Sequence, residues 1–279
     1  MEHTVASVTL FIDNHIDAYP DTRRSMVDLH LVTHQIMVVY PDKKNSYGGS
    51  MTTKRIICFA NSQKGAGHCV AGLELFPNNT VGGWIRPIGT GYEEALLHSE
   101  QAYADGTSPR LLDILDVHLV EPRPQGCQTE NWFVDSTQRW SKFGQYRPAD
   151  VAALAASPPT LFENMGHTSA GMNDQIPNAT ADARAGSLLL VHVPRLEIHV
   201  IQGYHVGETK VQARFDYRGV DYWLTVTDPA VKREFQPHGI GAHDLGSCLA
   251  CISLAMPFVK SSDQIAYRFK LVAGVIRLS

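Results

Sequence analysis

Arg55-Ile56-Ile57-Cys58-Phe59-Ala60-Asn61-Ser62-Gln63-Lys64-Gly65-Ala66-Gly67-His68-Cys69-Val70-Ala71-Gly72-Leu73 reads as two apolar strands, residues 55–60 and 69–73, joined by a polar, glycine-rich loop. Outward from it the same grammar repeats. Strands are expected at 83–88, 112–120, 188–199, 210–217, 222–227, 248–254 and 267–276, each bounded by Gly, Pro or Asn. Helical periodicity is sparse and confined to 93–105 and to 148–156, the latter opened by Pro148 in its first turn. The chain is therefore mainly β. Each half offers four or five short strands, the number that closes into a small barrel of the OB kind, although a sandwich fits the same strings.

The chain has 279 residues, 44% of them hydrophobic, enough to build a core without covalent staples. Its five cysteines form no disulfide framework, and the reading is a reduced, cytoplasmic protein. No apolar run approaches 18 residues, so no membrane span is expected. A net charge of −4 and a pI near 6.3 argue against a protein that coats duplex DNA, because counterion release needs many clustered cations.

Residues 1–50 carry two short apolar runs and end in the turn-forming text of 41–50, after which Met51 opens a clean strand. They read as an N-terminal extension outside the native domain, Met51 being a candidate initiator, or else as an accessory hairpin. The expected organisation is a first barrel with a long loop at 51–155, an irregular connecting segment at 156–185 and a second barrel at 186–279.

Four constellations bear on chemistry. The loop carrying Asn61 and Lys64 can turn backbone N–H groups toward a phosphate with Lys64 adding charge, or it is a plain hairpin turn; it lacks the order of a Walker loop. Alternation along Gly83-Trp84-Ile85-Arg86 sends Trp84 and Arg86 to one face. That pair equips a strand to stack a base and hold its phosphate, or it is a tryptophan cap beside an arginine paired with Asp113 or Asp116. Gln128, Asn131, Trp132 and Trp140 fall in a long excursion from the first barrel, where they either line a site or plug the barrel end. His238, His243, Cys248 and Cys251 have the donor types of a zinc site, but residues three apart on a strand point to opposite faces. No metal or other cofactor is therefore assigned. Cys69 as a nucleophile lacks a base that the sequence identifies.

Ala60-Asn61-Ser62 with Lys64, His68-Cys69-Val70-Ala71-Gly72, Gly83-Trp84-Ile85-Arg86-Pro87, Leu111-Leu112-Asp113-Ile114, Gln128 with Glu130-Asn131, Tyr222-Trp223-Leu224-Thr225-Val226-Thr227-Asp228-Pro229, Ile252-Ser253-Leu254 and Lys270-Leu271-Val272-Ala273 occur in order. On these motifs the chain resembles the bacterial dual OB-containing domain proteins across residues 54–279. The resemblance implies two OB-like barrels and a nucleic-acid or nucleotide ligand, with no established reaction, and it supplies no catalytic residues to carry over. The leading expectation is thus a non-catalytic module that binds single-stranded nucleic acid or a nucleotide through the first barrel, at Asn61, Lys64, Trp84, Arg86 and Asn131. A zinc- or cysteine-dependent enzyme acting on such a ligand and an adaptor for a protein partner are the alternatives.

Overall fold

A computed structural model describes residues 51–203, 205 and 207–278; the reading of residues 1–50 as an extension lies outside them. No helix among the described residues is long and apolar enough to cross a membrane.

The first half holds β1 (Thr52–Lys64), β2 (Gly67–Leu75), β3 (Val81–Ile88), β4 (Asp113–Pro122), β5 (Asn131–Val134) and β6 (Ser141–Gln145). They pair in the order β1-β2-β3-β5-β4-β6, and β1 pairs β4 as well, so five strands close a barrel while β6 extends its edge. One long strand serves both sides of the closure. Thr52 to Ile57 pair with β4, and the run from Ile56 onward pairs with β2. Phe59 is an extra residue between the Cys58–Gly72 and Ala60–Ala71 pairs, a bulge that bends β1 around the barrel. Alternation fills the interior with Ile56, Cys58, Val70, Ile85, Leu115, Val117, Leu119 and Val134. Trp140, 1% exposed, packs on that core. Trp132 packs on it too, with the Lys54 ammonium over its ring, so both tryptophans serve the barrel.

The excursion expected after residue 120 contains β5, whose parallel pairing with β3 completes the barrel. Four residues with an Asn at the start give too short an alternation to be seen as a strand. The helix expected at 93–105 is a 3-10 turn, Tyr92–Glu94, and a single α-turn, His98–Gln101. The one expected at 148–156 is the short helix Pro148–Val151 followed by the 3-10 turn Ala152–Leu154.

The second half repeats the plan. Its strands are β7 (Gln175–Pro177), β8 (Leu188–Val193), β9 (Glu197–Gln202), β10 (Thr209–Tyr217), β11 (Val220–Val226), β12 (Gly241–Asp244), β13 (Cys248–Leu254), β14 (Phe258–Val259) and β15 (Ala266–Arg277). The path runs β12-β9-β10-β11-β15-β13-β8, with β11 parallel to β15 just as β3 is to β5. The single strand expected at 188–199 is broken at Pro194 and Arg195 into β8, which pairs β13, and β9, which pairs β10. The helix Pro229–Phe235 lies between the third and fourth barrel strands, its Asp228 cap accepting from the N–H groups of Ala230 and Val231. Closed order in the first half and its repetition in the second make these two OB-like barrels in tandem rather than a sandwich.

The barrels dock on each other. Ile57, Phe59, Ala71 and Leu73 on the outside of β1 and β2 form one cluster with Leu188, Leu190, Leu249, Cys251, Ala273 and Ile276 of the second barrel. The stretch 156–185 is mostly irregular, yet it buries Leu161, Phe162, Ile176 and Ala181 in the second core and pairs β7 with β15.

Candidate functional site

On β3 the alternation runs as expected: Ile85 points into the first barrel, and Trp84 and Arg86 point out of it. What lies outside, however, is the second barrel. Trp84 packs in the inter-barrel cluster, edge-on to Phe59 with ring centroids 6.1 Å apart. Arg86 is 7% exposed; its Nη2 donates to Ser187 Oγ at 2.9 Å and Ser253 Oγ at 3.3 Å and lies 3.3 Å from Glu130 Oε1. Its acid is thus Glu130, not Asp113 or Asp116. Ser187 also donates to Glu130, so the ion pair is clamped from both barrels.

The glycine-rich loop is a two-residue hairpin turn. Lys64 pairs with Gly67, leaving Gly65 and Ala66 between the strands, and Gly65 has a φ of 56°, which favours glycine. Lys64 Nζ is spent on Glu93, 2.7 Å from its carbonyl and 3.1 Å from Oε2. Asn61 donates to Pro109 O at 2.6 Å, which leaves its Oδ1 to accept from His68 Nδ1 at 2.9 Å. Asn131 is fully buried, opposite Arg86 in the β3–β5 pairing, with Nδ2 3.4 Å from Gln128 Oε1.

Of these five residues, Lys64 and Arg86 meet in one cleft of about 330 Å³ between the barrels; Asn61, Trp84 and Asn131 do not line it. Three segments supply most of its wall, joined by Glu93, Glu94, Gln128, Thr227, Phe269 and Leu271. The β1–β2 hairpin brings Ser62, Gln63, Lys64 and Cys69, the end of β3 brings Arg86 to Ile88, and the segment from β13 into β14 brings Ser253 to Phe258. Arg86 Nε and Nη1 have no hydrogen-bond partner among the described residues, so the cleft holds unspent donors beside the amide of Gln128. Apolar wall comes from Leu254, Met256, Pro257 and Phe269, and Phe258 stands at the lip, 56% exposed, its ring 6.0 Å from that of Phe269. Both cations of the cleft already face carboxylates and Glu94 adds another acid, so no excess positive charge collects there.

Cys69 also lines the cleft. Burial pushes its thiol up against the pull of Lys64 and Arg86, which keeps it protonated and a poor nucleophile at neutral pH. His68, its neighbour, bonds Asn61 instead. The proposed zinc donors do not converge: Cys248 belongs to the core of the second barrel and Cys251 to the inter-barrel cluster, its thiol pushed up to about 12 by burial. His238 and His243 do come together, with ring centroids 5.2 Å apart and Phe235 alongside. Among the described residues no three of His, Cys, Asp and Glu gather as a metal site.

Sequence reasoning assigned neither Ser253, which lies in one of the family motifs, nor Phe258 to a site. Phe258 did leave a signal, an apolar run that continues past Leu254 and is broken by Pro257, where a strand should have ended in polar text.

Two barrels with the strand order of OB domains are thus docked so that the hairpin of one and the fourth-to-fifth strand connection of the other frame a single cleft. No curated protein and no solved structure matches the chain. The family described as the dual OB-containing domain matches residues 54–275, and the chain belongs to that family.

Proposed function

We propose that the chain is a non-catalytic binding protein whose inter-barrel cleft takes the base of a single-stranded nucleic acid or of a nucleotide. The observation that carries this reading is the exposed ring of Phe258 at the lip of a cleft whose wall holds the unspent donors of Arg86. An aromatic face stacks any base, while guanidinium and amide groups satisfy the acceptors on its edge. OB domains use the loop between their first two strands and the loop between their last two for such ligands. Here each barrel contributes one of those loops. Neutralisation of Lys64 and Arg86 by Glu93 and Glu130 favours the base, rather than the phosphate, as the group that enters. The outward face of β3, expected to stack the base itself, is covered by the second barrel, so Trp84 supports the cleft from behind.

Fluorescence anisotropy with labelled oligo-dT, oligo-U, a duplex and a mononucleotide tests the reading. Single strands or the nucleotide should bind and the duplex should not. Phe258→Ala should weaken binding by about 1–3 kcal/mol, the worth of one stacked base, and Phe258→Tyr should not. Its exposure leaves the melting temperature unchanged. Absence of binding, or indifference to Phe258→Ala, overturns the reading and leaves the protein-adaptor alternative in its place.

A further inference from the structure

On the other side of the β1–β2 hairpin lies a second depression, of about 640 Å³, again lined from both barrels. Alternation along the hairpin explains why two recesses share it. Ser62 and Cys69 face the cleft, whereas Asn61 and His68 face this pocket. Arg110, from the connection leading into β4, and Arg233, from the helix Pro229–Phe235, both open on it.

These two arginines differ from the rest. Among the described residues, each other arginine spends its guanidinium on a carboxylate, a carbonyl, a hydroxyl, an amide oxygen or an aromatic ring; Arg147, Arg195, Arg218 and Arg277, though largely exposed, do so as well. Among the described residues the guanidinium groups of Arg110 and Arg233 have no hydrogen bond and no carboxylate within 4.0 Å; Arg110 bonds Asp113 through its backbone only, and Arg233 feels Asp228 at longer range. The one acid lining the pocket, Asp228, is 3% exposed and turned onto the backbone N–H groups of Ala230, Val231 and Val275. Two forked cations from two barrels thus line one recess whose single carboxylate is already engaged by backbone N–H groups. In a chain of net charge −4 this is a local reversal of sign.

We infer that this pocket binds a phosphate group, held by the guanidinium forks of Arg110 and Arg233. Planar guanidinium groups match the oxygens of a phosphate in pairs, and a residual positive charge favours the anion. Asn61 and His68 line the pocket wall, with Asn61 locked by Pro109 and His68 so that the His68 ring is held in place. The inference concerns different residues from those of the cleft and stands whether or not a base binds there.

Titration of the full chain with inorganic phosphate, followed by NMR at the His68 ring and the Ala230 amide, provides the test, with chloride at equal ionic strength as control. Saturable shifts are expected with phosphate and not with chloride. Arg110→Ala and Arg233→Ala should each weaken phosphate at least tenfold with melting unchanged, and the corresponding Lys variants should recover only part of it, since charge returns without the fork. Phe258→Ala should leave the phosphate shifts as they are, which separates this site from the cleft. Two further arms identify the source of the group. A dT oligomer without a terminal phosphate that shifts His68 assigns a chain phosphodiester; a response confined to dTMP and inorganic phosphate assigns a terminal phosphate. Shifts that chloride reproduces, or that survive both Ala substitutions, overturn the inference.

Discussion

Lys270 sits inside the second barrel, 1% exposed, with Nζ 2.9 Å from Asn164 Oδ1 and 5.3 Å from the Tyr222 ring centroid. Neither neighbour carries charge, so burial pulls its pKa down to about 7, against the partial support of Asp174. An unfolded lysine titrates near 10.4. Between those values the unfolded chain binds more protons than the folded one, so this residue makes stability rise with pH from about 7 to about 10. Below pH 7 both states are protonated and the cost of burying the ammonium is paid in full. Lys270→Met removes the titration, and Asn164 Oδ1 keeps the hydroxyl of Tyr222 as donor. Thermal melts of both proteins at pH 6.0 and 8.5 should show the variant gaining most at pH 6.0, with its advantage over the parent shrinking at pH 8.5. A difference that does not change with pH would sink this account.

At the scale of elements, the bulges of β1 and β15 meet. Phe59 is the extra residue of β1, Ala273 is the extra residue of β15 between the Cys251–Gly274 and Ile252–Val272 pairs, and a Cβ on Gly274 would stand 2.2 Å from Phe59 O. Backbone approaches backbone there, with no flexible side chain to give way. Gly274→Ala should therefore destabilise the protein by about 1–3 kcal/mol, the usual cost of overpacking. Gly83→Ala on β3, where a Cβ meets nothing within 4 Å, should be neutral or slightly stabilising. Urea midpoints at constant m-value check the pair, and equal effects would show that the barrels yield at this contact. Strands were legible in the sequence where alternation ran long and turn formers bounded it, as in β1 to β4, β10, β11, β13 and β15. The short β5 and β6 were not, because Asn131–Val134 and Ser141–Gln145 are fixed by their partners across the sheet rather than by their own pattern.

At the scale of the molecule, alternation showed which residues of β3 share a face but not what covers that face. Trp84 and Arg86 do share one, and a sequence read without its fold takes such a face for open surface. The cover is the second barrel, contributed by residues more than a hundred positions away, and only their packing turns two separate loops into one cleft. The same packing decides how the chain unfolds. Ile57, Phe59, Leu73, Leu190, Leu249 and Ile276 are each under 10% exposed in a cluster that neither barrel can bury alone, and each such side chain contributes about 1.5–3 kcal/mol. Separation would also strand Glu130 and Arg86 without Ser187 and Ser253, leaving a buried ion pair poorly satisfied. Tandem barrels on a flexible linker would melt independently; these should melt as one. Tryptophan fluorescence reports mostly on the first barrel, which holds Trp84, Trp132 and Trp140, while far-UV circular dichroism reports on both. The two urea transitions should coincide, and the calorimetric and van't Hoff enthalpies should agree. A fluorescence midpoint displaced from the dichroism midpoint would mean that the barrels are stable apart, and that the cleft between them is a junction able to open rather than a fixed site.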